Sequence, residues 1–435
     1  MNAVAKYFRF NELGTNFRTE LIAGLTTFVS MAYILFVNPS VLGDAGMDQG
    51  AVFTATGLSA AIATIFMGLV ARYPIAIAPG LGVNAFFAYS VVIGMKVPWQ
   101  TAMAGVLVAA IIFLLLTFFK VREMIINMIP QDLKVAIAAG IGLFIAFIGL
   151  ANAGLIVPND ATMVSLGNLT SSTSLLSIFG IVVTFILIAL RVPAAIFIGM
   201  ILTAIAGLVT GLIHLPTHII SAAPSLAPTF GQSISHLSDI NTFQLLTVVL
   251  TFLIVTFFDT AGTMIGLATQ AGFMKDGKMP RAGKALMADA VGMTAGAVLG
   301  TSPTSAYVES SAGLAIGGRS GLTSVTTGFL FIIALLFSPL LTVVTSQVTA
   351  PALIVVGVLM AENLRHINWD DFAIAAPAFI IVIGMPLTYS ISDAIALGFI
   401  LYPIMMIATK RAAKVNILMY ILAVIFLFFL FAVAH

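Results

Sequence analysis

Apolar residues run along this chain in blocks of about twenty, parted by short polar stretches, from Leu21 almost to the last residue. A bilayer core about 30 Å thick needs about 20 apolar residues in a helix. By that measure the pattern predicts fourteen spans, at about 21–38, 51–70, 74–95, 101–119, 133–151, 174–190, 193–213, 243–266, 284–300, 302–316, 321–343, 349–363, 372–388 and 391–408. A further uncharged run, 417–434, follows the basic cluster Lys410, Arg411 and Lys414. It reads either as a fifteenth span or as a helix lying at the interface. The run that begins at Leu21 lacks a small-residue cleavage pattern, so it reads as a retained first span.

The loops test this map. With the N-terminus in the cytoplasm, every Lys and Arg except Lys96 falls in an inside loop. That is the asymmetry expected of cytoplasmic loops, and a miscount in the middle would have scrambled it. The longest outside stretches, 151–173 and 214–242, carry His214, His218 and His236, read as exposed loop residues. Fourteen spans divide into seven and seven. An odd-numbered unit, repeated, enters the membrane from opposite sides, which is the arithmetic of an inverted repeat in transporters.

Composition agrees. Of 435 residues, 60% are hydrophobic and 8% charged, against roughly 25% charged in soluble chains. There is no cysteine, which excludes disulfides, thiol chemistry and cysteine metal sites. The scattered basic residues form no single patch, so nucleic-acid binding has no support. No Walker-type phosphate loop appears, which argues against ATP drive. The spans hold no His/Glu metal cluster and no nucleophile–base pair, so an enzyme is not expected, and neither is a cofactor.

Two spans are not smooth. The third contains Pro74, Pro79, Gly80, Gly82, Asn84, Phe86 and Phe87; the tenth contains Pro303, Ser305, Tyr307, Glu309 and Gly313. Proline removes a backbone donor and blocks the helix ladder. In lipid such a break is tolerable only where protein or water satisfies the freed groups. A single break would read as a kink. Two, at matching places in the two halves, point to a site near the midplane.

Most acids sit in loops or at segment ends, Glu20 and Asp393 among them. Three do not: Asp259, deep in the eighth span; Glu309, just after the break in the tenth; and Asp289, near the start of the ninth. A charge at the bilayer centre costs about 2.5–3.5 kcal/mol on insertion scales. Asp259 and Glu309 therefore read as facing a polar cavity and handling a proton. Asp289 reads equally well as a structural carboxylate near a helix N-terminus. Asn84 adds an amide that both donates and accepts. Phe86 and Phe87 offer flat faces for stacking, with plain packing as the alternative.

At these residues the sequence resembles the AzgA-like purine permeases of the nucleobase transporter superfamily, the bacterial guanine/hypoxanthine permeases above all. The resemblance rests on GLTTFVSMAYILFVNP at 24–39, ARYPIAIAPGLGVNAFFAYSVV at 71–92, PSLAPTFGQ at 224–232, FFDTAGT at 257–263, TQAGFMKDGKMPRAGKAL at 269–286 and TSAYVESSAG at 304–313. It implies an all-α polytopic membrane protein of about fourteen segments in 7+7 inverted repeats, with short broken strands in segments 3 and 10. It also implies a core domain at 1–120 and 243–345, a gate domain at 121–242 and 346–410, and a hydrophobic segment at 411–435. The same resemblance makes Asp259 and Glu309 the family's essential acids, for substrate and proton alike. Asn84 becomes its polar residue in segment 3, and Tyr307 a pocket-lining position. Thr263, one turn beyond Asp259, matches a proton-linked position held by histidine in related uracil permeases; threonine cannot titrate.

The expected function is import of guanine or hypoxanthine by proton symport through alternating access. Alternatives are an adenine permease, a uracil/xanthine carrier of the same fold, or a passive channel. The expected partners are a purine nucleobase, a proton and the lipid bilayer of the inner (plasma) membrane, with a homodimer left open.

Overall fold

The computed structural model describes residues 3–119, 129–240, 243–274 and 279–433. The expected loop charges Lys120, Arg122, Glu123, Lys275, Asp276 and Lys278 lie outside them. Each predicted run meets a helix or a broken segment. Span 1 is Phe17–Met31 with Ile34–Asp44, span 2 is Gln49–Phe66, span 4 is Trp99–Phe118 and span 5 is Gln131–Asn152. Spans 6 and 7 are Ser172–Ala189 and Ala195–Val209; spans 8 and 9 are Phe243–Gln270 and Ala282–Leu299. Spans 11 to 14 are Gly321–Ala334, Ser346–Ala361, Phe372–Thr388 and Ile391–Ala408. The helical form follows from the solvent: lipid offers no hydrogen bonds, so the backbone must satisfy itself. The final run is the helix Ile417–Val433, packed on spans 8 and 14. Its Phe426 meets Phe399 edge to face at 5.7 Å.

Spans 1, 2, 4, 8, 9 and 11 pack chiefly on one another, and spans 5, 6, 7, 12, 13 and 14 form a second group. Small residues allow the closest crossings, as in membrane helices generally. A Cβ on Gly142 would lie 2.5 Å from Met360 Cβ, and one on Gly357 would lie 2.5 Å from the Gly142 carbonyl oxygen, so spans 5 and 12 touch backbone to backbone.

The third and tenth segments are where helix gives way to strand. Strand β1 is Ile77–Pro79. A hairpin between spans 5 and 6 supplies β2, Ile156–Asn159, and β3, Met163–Leu166. Strand β4 is Thr304–Ala306. β1 and β4 pair antiparallel, with Ile77 opposite Ala306, Ala78 opposite Ser305 and Pro79 opposite Thr304. The pairing extends through Gly80 N donating to Pro303 O (2.9 Å) and Tyr307 N donating to Ala76 O (3.0 Å). A short helix leaves each strand: Leu81–Ala85, continuing as wider turns over Phe86–Gly94, and Ser310–Ala315. The predicted tenth span is thus a three-residue strand and a six-residue helix.

Two expectations are corrected. Glu20, grouped above with the loop and segment-end acids, is fully buried. It accepts from the hydroxyls of Thr15 and Thr323 (both 2.6 Å) and from the backbone N–H groups of Arg319 (2.9 Å) and Ser320. It thereby ties the start of span 1 to the start of span 11. Asp289 is not at a helix N-terminus. It lies two turns into Ala282–Leu299, fully buried, with Thr304 Oγ1 3.4 Å from its Oδ1.

The loop at 224–232 also has a structural task. Helix ends leave carbonyls unpaired, and Thr229 Oγ1 donates to Leu299 O (2.9 Å) while Gly231 N donates to Val298 O (2.8 Å). Gly300 makes room for this cap: its φ is +96° and a Cβ there would lie 2.3 Å from Thr229 Cβ. In the second group, Arg411 grips Asp371 with both terminal guanidinium nitrogens, which holds that carboxyl below its usual range.

Candidate functional site

Two strands crossing inside a membrane need every backbone group answered, and side chains complete the set. The Thr64 hydroxyl receives Ile77 N–H (3.0 Å) and lies 2.7 Å from Ile77 O. Ser310 Oγ accepts from Ala76 N (3.0 Å). Tyr307, a predicted site residue, donates its hydroxyl to Pro79 O at 2.6 Å and so bolts β4 to the end of β1. The crossing is therefore a rigid platform.

Glu309 lies three residues beyond the end of β4. Its Oε1 accepts from the Tyr33 hydroxyl at 2.6 Å. Tyr33 stands at the interruption between the two helices of span 1, so span 1 delivers a donor to the acid of span 10. The sequence reading missed Tyr33. Replacing it tests the contact: hydrogen bonds to charged groups contribute about 1.5–3 kcal/mol. Tyr33→Phe is expected to raise the KM for substrate roughly tenfold or more by that measure, with normal amounts of protein in the membrane. An unchanged KM in a transport assay would remove Tyr33 from the site.

Asn84 lies on the other side of the crossing, fully buried on Leu81–Ala85. Its Nδ2 donates to Asn38 Oδ1 at 3.0 Å, and its own Oδ1 is buried with no hydrogen-bond partner among the described residues. Phe86 is fully buried and meets Phe252 of span 8 edge to face at 4.9 Å.

Asp259 lies on the helix Phe243–Gln270, but its side chain falls outside the described residues. That helix packs against β4 and against Ser310–Ala315. Thr256 and Thr260 flank Asp259 on it. Both are fully buried, with hydroxyls that lack a partner among the described residues. Thr263 sits one turn further on, half-buried. Unpaired buried hydroxyls are uncommon in native proteins and call for an explanation. Here they line up on the helix face that Asp259 shares at i, i+3/i+4 and i+7 spacing.

Comparison with known proteins places the chain as a whole. A model described as "Permease family" matches residues 18–397. The guanine/hypoxanthine permease PbuG of Bacillus subtilis is 57% identical over 435 residues, covering 98% of this chain and 99% of that one. The adenine permease AdeP of Escherichia coli is 45% identical over 425 residues, covering 97% and 94%. Among solved structures, the transmembrane domain of a cyanobacterium bicarbonate transporter, BicA, superposes with a TM-score of 0.63 at 15% identity, covering 88% of this chain and 97% of that one. That likeness concerns the fold, which is a membrane-embedded 7+7 inverted repeat.

Proposed function

The chain belongs to the Permease family, and on that footing we propose that it imports purine nucleobases, guanine and hypoxanthine ahead of adenine, by proton symport. The observation that carries this reading is the β1–β4 crossing with Glu309 at its end, oriented by Tyr33, and Asn84 across from it. An ionised carboxylate is acceptor-only and takes two donors at once. Guanine presents adjacent N–H groups along one edge; adenine presents an acceptor beside a donor there. The greater likeness to PbuG than to AdeP supports the same choice.

In this reading Asn84, Glu309, Tyr307 and Phe86 surround the base, and Asp259 with Thr263 couples its binding to protonation. Spans 1–4 and 8–11 act as the core domain, at 1–120 and 243–345. Spans 5–7 and 12–14 act as the gate, at 121–242 and 346–410. The two packing groups support that division. The basic inside loops support a plasma-membrane orientation with a cytoplasmic N-terminus. Moving one charge through 100 mV supplies about 2.3 kcal/mol, enough to concentrate a neutral base several tens of times.

The test is uptake of radiolabelled hypoxanthine in cells lacking their own carriers. The expected result is saturable accumulation, abolished by a protonophore and inhibited far better by unlabelled guanine than by adenine. Stronger inhibition by adenine would make it an adenine permease. Uptake that only equilibrates would make it a channel.

A further inference from the structure

Span 1 holds a polar side chain deep in its apolar run, Asn38, fully buried on Ile34–Asp44. Its hydrogen bonds decide which way the neighbouring Asn84 amide faces. The network begins at Thr56, fully buried on Gln49–Phe66. A hydroxyl has one proton to donate, and Thr56 gives it to Val52 O at 2.6 Å. Its oxygen then has only lone pairs for Asn38, which lies 2.7 Å away and must present Nδ2. The same Nδ2 donates to Thr301 Oγ1 at 2.8 Å. Asn38 Oδ1 is thereby turned to the other side, where it accepts from Asn84 Nδ2 (3.0 Å) and Ser302 Oγ (3.2 Å). Two donors and two lone pairs are all an amide has, and Asn38 uses every one. Asn84 must therefore direct its Nδ2 inward to Asn38 and its Oδ1 outward. That oxygen is buried and has no hydrogen-bond partner among the described residues.

We propose that Asn38 is a positioning residue which, held by Thr56, locks the Asn84 amide so that its carbonyl oxygen accepts a ring N–H of the transported purine. The proposal rests on the purine reading above and adds to it a residue and a polarity. An amide free to flip would offer an N–H where the base also offers an N–H, and those two repel. The lock excludes that mismatch before the base arrives, as pre-organisation of a site requires. Thr56 and Asn38 touch no substrate. They act through Asn84, so their signature is in recognition of the base and not in the amount of folded protein.

The experiment measures hypoxanthine uptake, and its inhibition by 1-, 7- and 9-methylhypoxanthine, in wild type, Thr56→Val, Thr56→Ser and Asn38→Ser. Valine matches threonine in shape and deletes the hydroxyl; serine keeps it. For the wild type, the methyl derivatives that block the N–H groups facing Glu309 and Asn84 are poor inhibitors, and the Asn84 one is identified as the derivative whose penalty an Asn84→Ala variant removes. For Thr56→Val, the KM for hypoxanthine rises about tenfold, the size of one hydrogen bond, and the penalty on that methyl derivative shrinks. Thr56→Ser stays near wild type in both. Asn38→Ser reproduces the valine effect and decides the matter if Thr56→Val fails to reach the membrane. An unchanged KM and methyl profile in Thr56→Val or Asn38→Ser overturns the proposal. So does equal impairment by valine and serine, which would mean that Thr56 only packs. Failure of the wild type to take up any purine would instead sink the functional reading, and it is seen before the variants are compared.

Discussion

Glu309→Gln is expected to abolish hypoxanthine accumulation while leaving the protein in the membrane in normal amount. Glutamine has nearly the shape of glutamate, so the β1–β4 crossing and the short helix Ser310–Ala315 keep their packing. Two properties disappear. The amide is neutral and one of its two ends is a donor, so it accepts the ring N–H of hypoxanthine more weakly and cannot take both neighbouring N–H groups of guanine. It also cannot take up or release a proton. The first loss alone, a hydrogen bond to a charged group, contributes about 1.5–3 kcal/mol, or roughly 10- to 150-fold in affinity. The second removes the link to the proton gradient. Uptake into energised cells or vesicles measures both together, and wild-type accumulation by Glu309→Gln would exclude this acid from the mechanism.

Asp259→Asn is expected to fail in a different way. Its helix packs on β4, and Thr256 and Thr260 on either side are buried with hydroxyls that lack a partner among the described residues. An acid at that depth costs about 2.5–3.5 kcal/mol to insert. Asparagine lacks the proton but keeps the size and polarity. Net accumulation should disappear, while exchange of internal for external hypoxanthine persists, because exchange needs binding and the domain movement but no net proton flux. Protonophore-sensitive accumulation by Asp259→Asn would take Asp259 out of the coupling.

How much of this was readable beforehand depends on how local the cause is. The spans were legible because twenty apolar residues require lipid whatever surrounds them. The crossing was legible in outline from Pro74, Pro79 and Pro303, which forbid a continuous helix. Its strand pairing was not, because Ile77 and Ala306 are brought together only by the fold. Glu20 looked like an acid at a segment end. Its burial depends on Arg319, Ser320 and Thr323, some 300 residues away, and no local signal announces them. Tyr33 lies in an apolar stretch with no glycine or proline beside it to mark the interruption in span 1. The β2–β3 hairpin strands, four residues each, are too short for an alternation to stand out. Asn38 did carry a signal: a lone amide inside a lipid-length run is rare unless it has a task. The predicted span 21–38 ends on it, which hid its place inside the helix Ile34–Asp44. Asp289 was misplaced because span 9 begins before its apolar run does, at Ala282.

The most direct test is a structure of the protein with hypoxanthine bound. The base is expected between the ends of β1 and β4, with its N–H groups within about 3 Å, ordinary hydrogen-bond reach, of the Glu309 carboxylate and Asn84 Oδ1. A base lodged elsewhere, or seated at the crossing with neither side chain in reach, would contradict the account.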